Sequence, residues 1–370
     1  MRVNFVLPFF ARRAVGGIRV VYEYANGLAD RGHDVRVVHA AHLSKFRLND
    51  QPLPVSWAKD LMKRLVYPIE QPRPRWQCVR KSVRLLYVPD LWAKHIPDAD
   101  AVFATAWQTV DYVNEYPDRK GARFYLVQCF GPWLGPTDQI EATYRKQLLK
   151  VTVSRWLYDR VRGATGSDRD IINIPIAIDH GTFRLIAPLK TRPQRVAMMW
   201  GVTSYKTPQV GLEAISIARQ KHPTLEVVIF GPQARRPEEL PSWVQYRGAL
   251  SNAELVGTYN QCLVFVCSSV AEGFALPPAE AMACGCAVAS TDCGGIREYA
   301  EHQENALLSP VRDAKALAAS IVRLLDDSEL RERIALAGLQ RIKDFTWKRS
   351  TDLLEAALQD RTKPTSRASA

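Results

Sequence analysis

Two glutamates frame a short stretch of the chain in which a helix must begin. Glu272 and Glu280 stand with seven residues between them in EGFALPPAE, and Pro277 and Pro278 lie inside this interval. Consecutive prolines fit the first turn of a helix, where the backbone N–H that proline lacks has no partner anyway. The pattern therefore predicts Glu272 in a loop after the apolar run LVFVCSS, and Glu280 in the first turn of the following helix.

The backbone between the two glutamates can bind an anion. Gly273 allows close approach, and the N–H groups of three residues gather at the positive end of the predicted helix. These residues are Phe274, Ala275 and Leu276. Amide donors with a carboxylate on each side suit a phosphate flanked by sugars, as in a nucleotide sugar. Taken singly, the second glutamate could instead be a helix-dipole or capping acid, and the first an ordinary loop acid.

Alternating strands and helices position this stretch. The first forty residues read as strand, glycine turn, helix and strand, with Gly17 at the carboxyl end of the first strand, where it could meet an anion or simply form a turn. The alternation restarts after a proline-bearing connector, with one helix predicted near 236–243. We therefore predict an α/β protein with two Rossmann-like, doubly wound domains facing across a cleft. The predicted parts are 1–184, 185–345, and 346–370, a C-terminal helix packing back on the first domain plus a flexible tail.

Composition narrows the classes of function and location. No apolar run reaches the roughly 18 residues needed to cross a bilayer, and seven cysteines without a CxxC pair indicate a reduced cytoplasm. The net charge of +12 is unevenly spread, because residues 59–84 carry eight lysines and arginines against two acidic residues. Trp57 precedes this stretch and Trp76 lies within it. This pattern suits an anionic membrane surface, a polyanionic substrate or a solvated basic insertion. We predict a cytoplasmic protein, peripheral at the inner membrane face if that surface binds lipid, and no nucleic acid partner.

The chain also resembles a known family. EGFALPPAEAMACGCAVAS, followed by the GG and Glu of TDCGGIREYA, resembles the signature of the retaining GT-B glycosyltransferases of the group 1 (family 4) class. The likeness extends over nearly the whole chain, through the glycine loop near Gly17, GHDV, IPIAID and VQYRGALSNAEL. It implies that Glu272 accepts from hydroxyls of the donor sugar and stabilises the transition state. It also implies that Glu280 accepts from the nucleotide ribose, while the intervening amides meet the sugar and diphosphate.

The cationic part of the family pattern is incomplete here. Family members neutralise the diphosphate with an arginine after a strand-ending glycine and a lysine a few residues later. In WGVTSYKTP, Lys206 fits the lysine, but Val202 stands where the arginine is expected. Thr203 and Ser204 can donate hydrogen bonds without replacing the charge, so we expect either a cation such as Arg247 to reach in or a pocket tuned to an unusual donor.

The first half departs from the family pattern as well. Many relatives have a histidine after the strand ADAVFATAW, whereas Ala106 and Trp107 occupy that point here. Trp107 could stack on an acceptor sugar or pack in the interior. His33, at the amino end of its strand, is interpreted as structural.

No metal or cofactor is expected. Asp98 and Asp100 form a D-x-D pair, but they precede their strand, at the edge opposite the cleft. Cys284 and Cys286 lack further ligands and are expected to pack in the interior. The helix amides and Lys206 make a divalent ion unnecessary.

The resemblance implies a retaining, nucleotide-sugar-dependent hexosyltransferase acting on a glycan or lipid-linked acceptor in surface polysaccharide or glycan assembly. The segments VGGIRVVYEYANGLADRGHDV and FYLVQ are similar to a rhamnosyltransferase-like branch, so dTDP-rhamnose stands beside GDP- and UDP-sugars as a donor. The alternatives are a nucleotide-sugar epimerase or hydrolase on the same fold, and a non-catalytic basic glycan-binding module.

Overall fold

A computed structural model of the chain describes residues 1–45 and 73–362. Within these ranges the N-terminal half forms a parallel sheet of seven strands. The strands are β1 (Arg2–Leu7), β2 (Asp34–Ala40), β3 (Arg84–Val88), β4 (Ala101–Ala104), β5 (Ala122–Val127), β6 (Leu149–Thr152) and β7 (Ile171–Asn173). Their order across the sheet is β3-β2-β1-β4-β5-β6-β7. The central strands β1 and β4 are almost continuously buried, as expected for a sheet covered on both faces.

The C-terminal half repeats this plan. Its described residues form a second parallel sheet, of six strands. These are β8 (Arg195–Met199), β9 (Glu226–Phe230), β10 (Val244–Tyr246), β11 (Val264–Cys267), β12 (Ala287–Thr291) and β13 (Leu307–Ser309). The order is β10-β9-β8-β11-β12-β13. The prediction of an α/β protein with two doubly wound sheets is confirmed.

Helices connect the strands of both sheets. In the N-terminal half these are α1 (Gly16–Ala29), α2 (Trp107–Asn114), α3 (Thr137–Tyr144) and α4 (Arg155–Thr165). In the C-terminal half they are α5 (Pro208–Lys221), α6 (Asn252–Asn260), α7 (Leu276–Ala283), α8 (Ala314–Asp326) and α9 (Ser328–Ile342). Side-chain caps begin several of them, because Ser154, Ser251, Asp313 and Asp327 each accept a hydrogen bond from a backbone N–H of the first turn.

The strand order of each sheet reverses next to its first strand. In the first sheet β1 lies between β2 and β4, and in the second β8 lies between β9 and β11. Crevices form at such reversal points, outside the carboxyl ends of the strands. The loops after β8 and β11 therefore start side by side.

A last helix, α10 (Trp347–Thr362), packs on α1 of the N-terminal half. Arg31 pairs with Asp352 at 2.5 Å, and His33 Nε2 lies 2.8 Å from Glu355. The position of His33 at the amino edge of its strand matches the structural role predicted for it. The exact domain boundaries remain predictions.

Two local predictions are wrong. Residues 236–243 form turns, because Pro237 and Pro241 interrupt the run and Arg236 donates to the carbonyls of Leu240 and Val244. Glu280 lies in the second turn of α7, since that helix already begins at Leu276.

The structure describes only part of the predicted basic surface, residues 59–84. Residues 59–72 lie outside the described residues. In the remainder, Arg80 pairs with Asp30 and Arg84 with Asp34, while Arg73 donates to backbone carbonyls. Within the described residues, none of the helices combines the length and apolarity that crossing a membrane requires.

Candidate functional site

Lys206 and Glu272 form an ion pair at the reversal point of the second sheet. Lys206 follows β8 and Glu272 follows the adjacent β11, and the lysine Nζ lies 2.5 Å from the glutamate Oε1. The side chains are only 16% and 10% exposed, and the Ser269 hydroxyl donates to the same oxygen at 2.7 Å. Burial alone would lower the pKa of Lys206, but the charge interaction with Glu272, and to a lesser degree with Tyr205, raises it above its usual value. Lys206 is therefore held as a cation beside the carboxylate.

Backbone contacts fix the loop that carries Glu272. Its N–H donates to the Cys293 carbonyl at 2.8 Å, and its carbonyl accepts from Gly295 N–H at 3.0 Å. The next residue, Gly273, lies against the other half, because a methyl group placed on it would fall 1.9 Å from the Gln128 carbonyl oxygen. The glycine is thus required for close approach of the two halves beside Glu272.

The beginning of α7 is free of acidic side chains. It has no acidic residue in its first turn and no side-chain cap, and it begins after Ala275, whose φ of 67° is left-handed. The Tyr299 hydroxyl holds this conformation by donating to the Ala275 carbonyl at 2.6 Å. Phe274 packs with Tyr299 and Phe345, so its ring is structural while its backbone stays at the helix end. This positive helix end can accept an anion.

A second helix begins at the same place. Helix α1 also has no side-chain cap and no acidic residue in its first turn. A methyl group on its first residue, Gly16, would lie 3.7 Å from Leu276 Cδ1, and one on Gly17 would lie 3.4 Å from the Gln128 side chain. The predicted donor residue Gly17 is therefore brought to the junction of the halves, next to the start of α7.

Glu280 is engaged across this junction. Its Oε1 accepts from Arg19 Nη1 at 2.7 Å, while Arg19 Nη2 donates to Asn252 Oδ1 at 2.9 Å. The Tyr259 hydroxyl lies 3.5 Å from the other carboxylate oxygen. Burial raises the pKa of Glu280, and Arg19 partly offsets this effect. The predicted ribose ligand thus has an arginine partner from the N-terminal half.

Aromatic rings close the junction beside Lys206. Trp133 stacks on Tyr205, with ring centroids 4.7 Å apart and an interplanar angle of 26°. Trp107 does not stand alone at a strand end: it is buried, and its indole N–H donates to the Leu134 carbonyl at 3.1 Å. This geometry favours the packing alternative for Trp107, which supports the loop that carries Trp133.

The last glutamate of the family signature, Glu298 in TDCGGIREYA, also crosses between the halves. It accepts from the backbone N–H of Arg155, the first residue of α4, at 2.5 Å and from Asn173 Nδ2 at 3.1 Å. A carboxylate at a helix start is favourable. Glu298 therefore helps to dock the N-terminal half on the loop beside Glu272.

Two cavities adjoin these groups. The one lined by Lys206, Glu272 and Ser269 has a volume of about 20 Å³, so this part of the site is closed. The other has a volume of about 550 Å³ and is lined by Arg19, Glu280 and residues of α1 and α10. The larger cavity is within the usual size of ligand sites, whereas the cavity beside Glu272 is too small to hold a sugar.

Three other predicted donor residues, Thr203, Ser204 and Arg247, lie at the exposed surface, as does Val202, where the arginine was expected. Val202, Thr203 and Ser204 are exposed after β8, with Val202 60% exposed. Arg247 is also exposed, and its guanidinium donates to the Thr258 hydroxyl at 3.3 Å. Its contacts do not join it to the Lys206–Glu272 pair, so Arg247 does not replace the charge expected at Val202 in this conformation.

The D-x-D pair and the cysteines have other partners. Asp98 pairs with Lys120 and Asp100 with Arg2. Burial raises the pKa of the Cys284 thiol to about 12, and the Cys286 thiol lies against the Tyr259 carbonyl. No group of three His, Cys, Asp or Glu residues suited to a metal ion was found in residues 1–45 and 73–362.

Sequence reasoning missed Arg19, Trp133 and Glu298 as site residues. Arg19 comes two residues after the Gly-Gly pair, and Trp133 stands between glycines in FGPWLG after β5. The sequence offered one indication of a site role, because Arg19 and Trp133 both come shortly after strands of the N-terminal half. Their partners lie more than 70 residues away in the other half, so spacing alone could not identify the contacts.

Comparisons with known proteins agree with this architecture. Residues 183–341 match the family model described as Glycosyl transferases group 1. A phosphatidyl-myo-inositol mannosyltransferase of Mycolicibacterium smegmatis is 22% identical, with 94% of this chain and 90% of that protein covered. The O-antigen chain mannosyltransferase B of Escherichia coli is 32% identical over 30% of this chain, and the match covers only 28% of its own length.

Structural similarity extends over both halves. The crystal structure of Anabaena HepE in complex with UDP and glucose matches with a TM-score of 0.73 and 14% identity, covering 97% of this chain and 99% of that one. At this identity the likeness shows the fold, and the chain has the GT-B fold. Together with the family match, it supports a GT-B glycosyltransferase.

Proposed function

We propose that this chain transfers a sugar from a nucleoside diphosphate donor to an acceptor hydroxyl, at the junction of its two halves. The observation that carries the proposal is the buried Lys206–Glu272 pair, which lies beside the uncapped start of α7. A cation and helix amides suit a diphosphate, while a carboxylate suits sugar hydroxyls. Glu280, one turn further along α7, suits the ribose.

Each group then has a defined task. Lys206 has three N–H donors, so it can hold Glu272 and still donate to a phosphate oxygen. This charge and the amides of Phe274, Ala275 and Leu276 stabilise the departing nucleoside diphosphate. Glu272 accepts from hydroxyls of the sugar and stabilises positive charge at its anomeric carbon. Closure of the halves excludes water that would otherwise accept the sugar.

Retention of the anomeric configuration is part of the proposal and rests on the resemblance of the motif. In a front-face reaction the bond from the anomeric carbon to the diphosphate oxygen breaks while the acceptor oxygen bonds to the same face. The departing diphosphate takes the acceptor proton. This route requires no protein nucleophile and, with Lys206 and the helix amides present, we propose no metal ion.

The donor and acceptor are proposed by chemical class. Two of the similar proteins are named as mannosyltransferases, so GDP-mannose joins dTDP-rhamnose and UDP-sugars as a donor to be tested. The acceptor is a glycan or lipid-linked sugar used in surface polysaccharide or glycolipid assembly. We place the reaction in the cytoplasm, with residues 59–84 as the contact to an anionic inner membrane face.

A two-stage experiment tests the function. A thermal-shift panel of nucleoside diphosphates and their sugars identifies the preferred base, since a ligand of the folded state raises the melting temperature. Labelled donor is then incubated with and without glycan acceptor, in buffer containing EDTA. We expect acceptor-dependent product, abolished by Glu272→Ala, and weaker donor binding in Lys206→Ala.

Other outcomes separate the alternatives. Release of free sugar or a new nucleotide sugar without acceptor indicates a hydrolase or epimerase. Glycan binding without turnover, unaffected by Glu272→Ala, indicates a binding module. Either result contradicts the proposed transfer.

A further inference from the structure

Arg19 is a residue of the N-terminal half that reaches into the predicted nucleotide site. It lies in the first turn of α1 and donates at once to Glu280 on α7 and to Asn252 on α6. Its side chain is 18% exposed and that of Glu280 is 6% exposed. One guanidinium therefore ties two helices of the C-terminal half to α1.

The carboxylate of Glu280 has capacity for another ligand. An ionised carboxylate offers about four acceptor sites. Arg19 uses one oxygen at 2.7 Å, and the Tyr259 hydroxyl is 3.5 Å from the other. Vicinal hydroxyls of a ribose could take over both oxygens, and this exchange would release the guanidinium from Glu280.

Binding a diphosphate beside Arg19 requires a second cation in addition to Lys206. The uncapped starts of α1 and α7 meet there through Gly16 and Leu276. Lys206 is already paired with Glu272 at 2.5 Å, and Val202 contributes no charge. The diphosphate of a nucleotide sugar carries about two negative charges, more than one shared lysine neutralises.

Distance and space allow Arg19 to fill this role. At about 1.5 Å of rise per residue, Arg19 lies roughly 4.5 Å along α1 from Gly16, well within the reach of its side chain. Arg19, Leu276 and Glu280 line the same cavity of about 550 Å³, which leaves room for the guanidinium to move.

We propose that Arg19 is the second diphosphate cation, supplied by the N-terminal half. In the donor-free protein its guanidinium forms an ion pair with Glu280. When the donor binds, the ribose hydroxyls replace it there, and the guanidinium turns to the diphosphate. Arg19 thereby keeps the two halves joined, through the diphosphate in place of Glu280. This inference rests on the proposed function, because it assumes a nucleoside diphosphate at the start of α7.

Calorimetric titration with a nucleoside and with its diphosphate tests the exchange. The base is the one that the unmodified chain prefers in the thermal-shift panel. For Arg19→Ala we expect diphosphate binding to weaken roughly 10-fold to 100-fold, the effect of one or two charge-assisted hydrogen bonds. Nucleoside binding stays equal or becomes tighter, because Glu280 is then free.

Two further variants keep the test decisive. Arg19→Gln preserves donors toward Glu280 and Asn252 without the charge, so it should lose diphosphate preference even if Arg19→Ala does not fold. Arg31→Ala is the matched control, since Arg31 lies two residues after the end of the same helix, is 22% exposed and also pairs across to another element. Its ratio of nucleoside to diphosphate affinity should not change.

The outcomes distinguish this inference from the proposed function. If the unmodified chain binds no nucleoside diphosphate in the panel or by calorimetry, the proposed function fails and the inference with it. If it binds the diphosphate but Arg19→Gln keeps the full preference, Arg19 is not the cation. An equal loss in Arg31→Ala would also overturn the inference, because the effect would then arise from the docking of α1.

Discussion

Replacing Glu272 with glutamine should lower the free energy of unfolding, because Lys206 loses the negative charge that it pairs with. The lysine side chain is 16% exposed and its carboxylate partner lies 2.5 Å away. Removing one member of a buried ion pair typically costs about 3–5 kcal/mol. Because the glutamine oxygen can still accept from Lys206 and Ser269, we expect a smaller loss of unfolding free energy, about 2 kcal/mol. For a domain of this size, that lowers the melting temperature by about 4–8 °C.

A double-mutant cycle measures the pair directly. Lys206→Met removes the cation, and in the double variant neither charge remains buried without its partner. The double variant should therefore lose less unfolding free energy, measured by urea denaturation, than the sum of the two single variants. Asp159→Asn is the control, because its pair with Arg162 is about half exposed and should contribute less than about 1 kcal/mol. Additivity within about 0.5 kcal/mol would refute the coupling of Lys206 and Glu272.

Three more predictions concern neighbouring features. Arg192→Met should lower the free energy of unfolding, measured in urea, by about 3–5 kcal/mol. The buried Arg192 guanidinium donates to four backbone carbonyls, which would lose their partner. A loss below about 1 kcal/mol would contradict this. Burial raises the pKa of Glu280, so the stability that its protonated form contributes is lost as the pH rises above the usual glutamate value of about 4.5. The melting temperature of the unmodified chain relative to Glu280→Gln should therefore fall with rising pH, and a rise would show the opposite shift. Gly273→Ala should separate the halves, because the added methyl group would collide with the Gln128 carbonyl. We expect a larger radius of gyration in small-angle X-ray scattering. The control is Gly257→Ala, which adds a methyl group in open space on a helix and should leave the radius of gyration unchanged.

Local sequence patterns predict the sheet end that carries the candidate site. Lys206 and Glu272 each follow an apolar run that reads as a strand, and doubly wound sheets place the carboxyl ends of neighbouring strands together. The two prolines in the first turn of α7 locate the helix start between Glu272 and Glu280. These residues were predictable because the determining interactions are short in sequence or belong to the regular strand order.

Contacts between the halves were not predictable in the same way. Arg19 and Glu280 are 261 residues apart, and their meeting depends on how two separately folded sheets dock. The same holds for Trp133 and Tyr205. Trp107, which was considered for an acceptor role, is a separate case because its partner lies within the N-terminal half. Its indole N–H is used by a loop carbonyl that no spacing in the sequence points to.

The incorrect helix at 236–243 has a local cause. The charged and apolar residues of this segment fit a helical pattern, but Arg236 instead gathers the carbonyls that a helix would use internally. Proline at 241 removes one donor and disfavours the helical conformation before it. The prediction of a helix gave too little weight to Pro237 and Pro241.

A crystal structure of the chain with its preferred nucleotide sugar tests the central claim most directly. The account predicts the diphosphate at the start of α7, the sugar beside Glu272 and the ribose on Glu280. A nucleotide seated instead in the cavity of about 860 Å³ at the opposite edge of the first sheet, against Asp100 and Arg361, would contradict it.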